Sequence, residues 1–314
     1  MGIKAREVGT VDMMCYLFTA KRAKESAAAE ADEFRVMGRT VLRYYAAPKD
    51  EKGRVIEKPA EQPPAEQREG GMTPEQMVAV MTKQGIDKTL VCTNKMYSYK
   101  KRIPIGGMYY QEEDVHEAVK DHPGKLYGLA GYDPLKIHES VAKVEKAVKE
   151  YGFKGVYIHT YGYGLRPDDR KYYPLYETCR SLDVPVSMQV GHSLEVMPSE
   201  SGRPIVLDEI AIDFPGLILI GSHTGWPWCE ELIAMAYKHE NVYMDVSAHA
   251  PIYWDPSLVT NVNGRLRTKT LWGSNGATGR AGRFFDQLDE MNFREDTLRL
   301  VLRENALRVY KITD

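Results

Sequence analysis

The chain has 314 residues, 43% of them hydrophobic, which is ample for one large core. Its 42 basic and 44 acidic residues leave a formal charge of −2 and are mixed along the sequence, which gives no footing to a nucleic-acid or membrane-surface partner. No apolar run approaches the ~18 residues of a membrane span. The four cysteines, Cys15, Cys92, Cys179 and Cys229, form no C-x-x-C pair. That argues for reduced thiols and against a disulfide framework or a structural zinc site. The opening MGIKAREVGTVDMM has no signal-peptide apolar region and fits a myristoylation pattern poorly, with Arg6 at the sixth position. A cytoplasmic protein is expected.

In chain order one pattern recurs: a short apolar run, a turn, then an amphipathic stretch. The strand candidates are VGTVDMMC, KTLVCTN, KLYGLAGY, KGVYIH, PVSMQV, LILIGSH, NVYMDVSA and KTLWGSN. Between most of them, apolar residues at i, i+3, i+4 and i+7 predict helices over Thr73–Gly85, Glu139–Gly152, Tyr173–Asp183, Arg203–Phe214 and Cys229–His239. Thr73 followed by Pro74 and Gln76 reads as a helix start. Continuous apolar strands suit a sheet covered on both faces. Eight strands alternating with helices predict a single (β/α)8 TIM barrel over 1–314. Two stretches break the rhythm. Residues 46–72, rich in Pro, Glu and Lys, read as an inserted arm or lid after the first strand and helix. Phe284–Ile312 reads as helices that close the barrel's bottom or side.

Several segments in order carry a resemblance: GFKGVYIHTY, YYPLYETCRSLDVPV, GRPIVLDEIAIDFPGLILIGSHTGWPW, NVYMDVSAHAP, LWGSNG and ENALRVYK. Together they resemble the amidohydrolase-2 family, which includes aminocarboxymuconate semialdehyde and γ-resorcylate decarboxylases. The resemblance implies a metal site at the C-terminal strand ends: an H-x-H on the first strand, a histidine ending the fifth and an aspartate ending the eighth. A further acid/base histidine ends the sixth. Here the H-x-H positions hold Met14 and Tyr16, the fifth-strand position holds Gln189 and the eighth holds Asn275. The sixth-strand histidine is kept as His223. Thioether, phenol and amide groups are poor ligands for zinc and its neighbours. The whole set is replaced by neutral groups that keep hydrogen-bonding capacity, so the expected cofactor is none. The alternative is zinc or manganese in a site rebuilt from His159, His192, His223 and His249.

His223 is the first catalytic candidate, because it ends a strand and imidazole titrates near neutrality. His192 in QVGHS is a proton shuttle or carboxylate binder, or else a solvent-facing loop residue. Asp245 faces the same way as Ser247 and orients His223 or His249. His159, Tyr161 and Arg166 follow the fourth strand: the ring of Tyr161 suits a flat substrate, and Arg166 holds a carboxylate or pairs with Asp168 or Asp169. Trp226 is a pocket wall, or packing at Pro227. His249 is a site residue or packs on Pro251. Gln189 and Asn275 are hydrogen-bond donors, and Tyr16 is a donor or a space filler. The basic run Ser98–Pro104 is an anion attractor or a solvated loop.

Three readings remain. The first is a metal-independent decarboxylase or carbon–carbon lyase acting on a small cyclic or aromatic carboxylic acid, with His223 as acid/base. The second is a hydrolase, including one with a rebuilt metal site. The third is a ligand-binding pseudoenzyme. The long insertion and the resemblance point to a homodimer.

Overall fold

A computed structural model describes residues 3–28, 32–34, 70–276 and 278–314, without the side chains of 26–28. Eight parallel strands form one sheet in chain order: β1 (Thr10–Tyr16), β2 (Ile86–Cys92), β3 (Leu126–Gly131), β4 (Val156–Ile158), β5 (Val186–Gln189), β6 (Leu219–Ser222), β7 (Val242–Asp245) and β8 (Thr270–Leu271). The Met13 N–H donates to the Trp272 carbonyl at 3.1 Å and links the last strand segment back to the first. The chain is a (β/α)8 barrel, and all eight expected strands are present in it.

Helices α1 (Ala20–Ala28), α2 (Pro74–Gln84), α3 (Glu112–Val119), α4 (Ile137–Lys149), α5 (Tyr173–Leu182), α6 (Leu207–Asp213), α7 (Cys229–Lys238), α8 (Pro256–Val262) and α9 (Ala281–Glu290) lie among these strands. The five expected helices are there, α6 starting later than its pattern because Glu200–Gly202 and Pro204–Val206 form 3-10 turns first. Helix α2 starts on a reciprocal cap. Thr73 Oγ1 accepts from the Gln76 N–H at 3.3 Å, and Gln76 Oε1 accepts from the Thr73 N–H at 2.9 Å. It ends on Gly85 at φ 84°, a left-handed position that glycine takes without a Cβ penalty.

Period-2 alternation sorts the strand residues into two cores. Val91, Val156, Val186, Leu219 and Met244 pack outward against helices. Val11, Leu90, Leu129, Tyr157, Ile220 and Leu271 fill the barrel. Val309 and Tyr310, in and just after the last helix (Asn305–Val309), join that inner core and plug its lower end. A groove of about 260 Å³ at this end, lined by residues such as Phe153, Pro185 and Tyr310, contains no candidate site residue.

After β2 the chain forms an antiparallel hairpin, Lys95–Tyr97 with Pro104–Tyr109. The basic run Ser98–Pro104, read as a loop, is the turn of this hairpin and enters its second strand. The hairpin brings Met96, Ile105 and Met108 against Tyr161 and Met197, with Tyr16, Phe34 and Tyr99 packed on the cluster. It is fixed by a buried ion pair: Lys95 Nζ lies 3.2 Å from Glu112 Oε2, with the two side chains 5% and 2% exposed. Residues 46–72, expected as an arm, lie outside the described residues up to 69. No helix among the described residues is long and apolar enough to cross a membrane.

Candidate active site

The C-terminal ends of the strands gather a set of buried polar side chains. Tyr157 belongs to the inner core, and His159 lies two residues on, so both take the inward face. By the same rule Cys92 leads to Asn94 and Asp245 leads to Ser247. Several of these groups have buried polar atoms without a hydrogen-bond partner among the described residues: both side-chain atoms of Asn94, both ring nitrogens of His159, Nε2 of His223 and Oδ1 of Asn275. Buried polar groups are rarely left unpaired in ordinary cores, and such a concentration at one barrel end marks a binding surface.

His223 follows β6 and is 5% exposed. It and Thr224 have φ of 76° and 63°. Two successive non-glycine residues in the left-handed region cost about 1–3 kcal/mol each, a strain characteristic of functional sites. The backbone there turns the imidazole toward Ser247, whose Oγ lies 2.7 Å from His223 Nδ1. Ser247 in turn is committed to Asp245. Its Oγ–H donates to Asp245 Oδ2 at 2.6 Å and its N–H to Oδ1 at 2.8 Å. With its one hydroxyl proton on the carboxylate, Ser247 Oγ accepts from His223 Nδ1–H. The tautomer is thereby set, and Nε2 carries the lone pair. Burial, with smaller contributions from His249, His159 and His192, pushes the His223 pKa down to about 3. The ring is neutral at pH 7, and its Nε2 has no partner among the described residues. Burial pushes Asp245 up to about 7, against the hydrogen bonds from Ser247 that favour its charge.

A second imidazole is held the same way. Thr224 Oγ1 donates to the His223 carbonyl at 2.6 Å, so it accepts from His249 Nδ1 at 2.8 Å. His192 stacks on His249 with ring centroids 5.8 Å apart, and the Trp226 ring stands edge-on to His192 at 4.9 Å. Trp226 is half-exposed at the rim. His159 is 2% exposed, 4.0 Å from Glu195 Oε2 and edge-on to Tyr161 at 5.2 Å. Burial lowers its pKa. Tyr161 donates its hydroxyl proton to the Gly191 carbonyl at 2.9 Å. The structure does not bring Arg166 into this group: its side chain is 55% exposed and its Nε donates to Asp168 at 3.0 Å.

The positions where the resemblance implies a metal form a neutral floor. Tyr157 donates to Gln189 Oε1 at 3.1 Å and also interacts with the Tyr16 hydroxyl. Burial holds the Tyr16 phenol far above its ordinary pKa. Met14 is fully buried, and a Cβ built on Gly273 would lie 2.8 Å from its own Cβ. Asp12 Oδ1 accepts from the Met14 and Ser274 N–H groups at 3.2 and 2.8 Å, its Oδ2 has no partner among the described residues, and burial raises its pKa to about 6. A thioether, a protonated phenol and two carboxamides do not fit a divalent cation that takes imidazoles and carboxylates. Among the described residues no three His, Cys, Asp or Glu side chains are grouped to hold a metal.

Asn94, Tyr157 and Ser247 were not singled out as site residues. Tyr157 and Asn94 had a signal, sharing a strand face with His159 and Cys92 respectively. The role of Ser247 depends on the turn at His223, which no spacing reveals.

A (β/α)8 barrel with buried polar side chains gathered at its C-terminal strand ends defines a class, and similarity to known proteins places the chain within it. The amidohydrolase family model matches residues 105–312, and the chain belongs to the amidohydrolase-2 family. No curated protein sequence matches it. Among solved structures, it is similar to an uncharacterized TIM-barrel protein from Bordetella bronchiseptica, at TM-score 0.68 and 19% identity over 96% of this chain and 98% of that one. It is also similar to 5-carboxyvanillate decarboxylase from Sphingomonas paucimobilis, at 0.66 and 14% over 98% and 100%. A 5-carboxyvanillate decarboxylase from Novosphingobium aromaticivorans, complexed with manganese and 4-hydroxy-3-methoxy-5-nitrobenzoic acid, matches at 0.66 and 14% over 96% of each chain.

Proposed function

We propose that the protein is a metal-independent decarboxylase of small aromatic carboxylic acids bearing a ring hydroxyl, with His223 moving the proton. One observation carries the reading: the Asp245–Ser247–His223 chain leaves a neutral imidazole with a bare Nε2 at a mouth whose metal positions are neutral. Nε2 takes the phenolic proton, and the resulting imidazolium is stabilised through Ser247 by the Asp245 carboxylate. The same proton passes to the ring carbon that bears the carboxylate. The carbon–carbon bond then breaks, its electron pair returns to the ring, carbon dioxide leaves, and the product phenolate is reprotonated from water. The substrate's own oxygen is the electron sink. Hydrolysis is less well served, since no group at the floor generates hydroxide from water. The decarboxylases of similar fold act on an acid of this class, which supports the reading.

The test is decarboxylation of a panel of hydroxybenzoates, followed by carbon dioxide release, with a pH profile. Asp245 must be ionised to stabilise the imidazolium through Ser247, and its raised pKa means that it protonates as pH falls below about 7. His223, at about 3, stays neutral and does not set that limb. We therefore expect kcat/KM to fall as pH drops below about 7 and Asp245→Asn to flatten that limb at a lower plateau. An acid limb that survives in Asp245→Asn contradicts the assignment. No turnover of any hydroxybenzoate contradicts the function itself.

A further inference from the structure

We propose that Arg22 anchors a second anionic substituent of the substrate, on the side of the barrel mouth away from His223. The inference deepens the reading above and rests on it for the aromatic substrate. Arg22 lies near the start of α1, the helix that follows β1. Its Nε donates to the Gly107 carbonyl at 3.0 Å and a terminal N–H points to Met108 Sδ at 3.0 Å. Its guanidinium carbon sits 5.7 Å from the Tyr16 ring centroid.

A guanidinium has five N–H donors, and here a neutral carbonyl and a weakly accepting thioether engage two of them. Among the described residues no carboxylate lies within ion-pair distance of Arg22, whereas Arg166 is satisfied by Asp168. Its charge nevertheless reaches the inner mouth: it lowers the pKa of Tyr16, Cys92 and Tyr110 against the larger, opposite effect of their burial. A partly buried cation with no counter-charge among the described residues, beside a binding surface, suits a carboxylate, which takes two parallel N–H bonds from the fork.

The surroundings define the rest of the ligand. Met96, Met108, Met197, Tyr161 and Phe34 pack beside Tyr16 and make an apolar wall whose thioethers adapt to a flat ring. In the ring of strands β1 is three places from β6, by way of β8 and β7. A group held at Arg22 is therefore a different group from the carboxylate that is lost at His223. The ligand class is an aromatic acid with two anionic substituents.

The experiment measures binding without turnover, by calorimetric titration of isophthalate and of 3-carbamoylbenzoate, which keeps the shape with one charge fewer. Wild type is expected to prefer isophthalate by about tenfold or more, in line with the worth of a charged hydrogen-bonded pair. Arg22→Met removes that preference while leaving 3-carbamoylbenzoate binding unchanged. Arg22→Lys keeps part of it, because the charge remains and the fork does not. Thermal unfolding of each variant checks the fold, and the Lys variant serves if the Met variant does not fold. The proposal is overturned if wild type binds no isophthalate, if it binds both probes equally, or if the substitutions weaken both equally. Because no chemistry is involved, failure of decarboxylation leaves this result readable, and the reverse also holds.

Discussion

On the proposed function, replacing His223 with asparagine is expected to lower decarboxylation by about 10²–10⁴-fold, the usual contribution of a positioned acid–base group. Asparagine is the informative choice because it tolerates the left-handed backbone at φ 76° better than alanine does, and its amide can still meet Ser247. The variant thus keeps the fold and loses only the titrating nitrogen. The loss falls on kcat as well as kcat/KM, since the proton moves in the chemical step. Ser247→Ala produces a smaller loss. It removes the acceptor that fixes the His223 tautomer and cuts the imidazolium off from Asp245, so its acid limb flattens as in Asp245→Asn. His223→Asn with turnover within a factor of ten of wild type would remove His223 from the mechanism, whatever its position.

Lys95→Met destabilises the protein by about 3–5 kcal/mol, the cost of leaving one partner of a buried ion pair uncompensated. Glu112 is the stranded group. Its Oε2 meets Lys95 Nζ and its Oε1 accepts from the Gly131 N–H at 3.2 Å. Lys95 also donates to the Tyr110 carbonyl at 2.6 Å, so the substitution loosens both strands at the open end of the hairpin. Urea unfolding reads the change. Lys95→Met combined with Glu112→Met recovers much of the loss, because the buried charge is then gone. A single-variant change below about 1 kcal/mol would mean that water reaches Glu112 and that the hairpin is not a rigid cover of the mouth.

Strand order was legible in the sequence because strands of a parallel barrel are apolar on both faces and announce themselves, even where few residues pair. KTLWGSN contributes only Thr270–Leu271 to the ladder, yet Ser274 and Asn275 still fall at the mouth. The hairpin was missed because SYKKRIP has the composition of a solvated loop, and its strands are set by Lys95 reaching Glu112, a contact across seventeen positions. Helix α3 was missed for a related reason: in EEDVHEAV only three of its eight residues are apolar, too few for a clear stripe. His223, His249, Gln189 and Asn275 were singled out because strand ends are positions with a rule attached and because the resemblance falls on three of them. The serine between His223 and Asp245 was noticed only as facing the same way as Asp245. Arg22 gave no signal, because nothing in AKRAKESAA separates one cation that reaches the mouth from those that face solvent.

The measurement closest to the central claim is decarboxylation of the best hydroxybenzoate before and after exhaustive chelation, with metal content determined on the same samples. The account predicts an unchanged rate in protein carrying far less than one metal ion per chain. Its premise is that Met14, Tyr16, Gln189 and Asn275 offer no ligand set while His223 supplies the proton transfer. Activity that vanishes on chelation and returns with stoichiometric manganese or zinc would contradict it, and would move the chemistry to a metal held by the strand-end histidines.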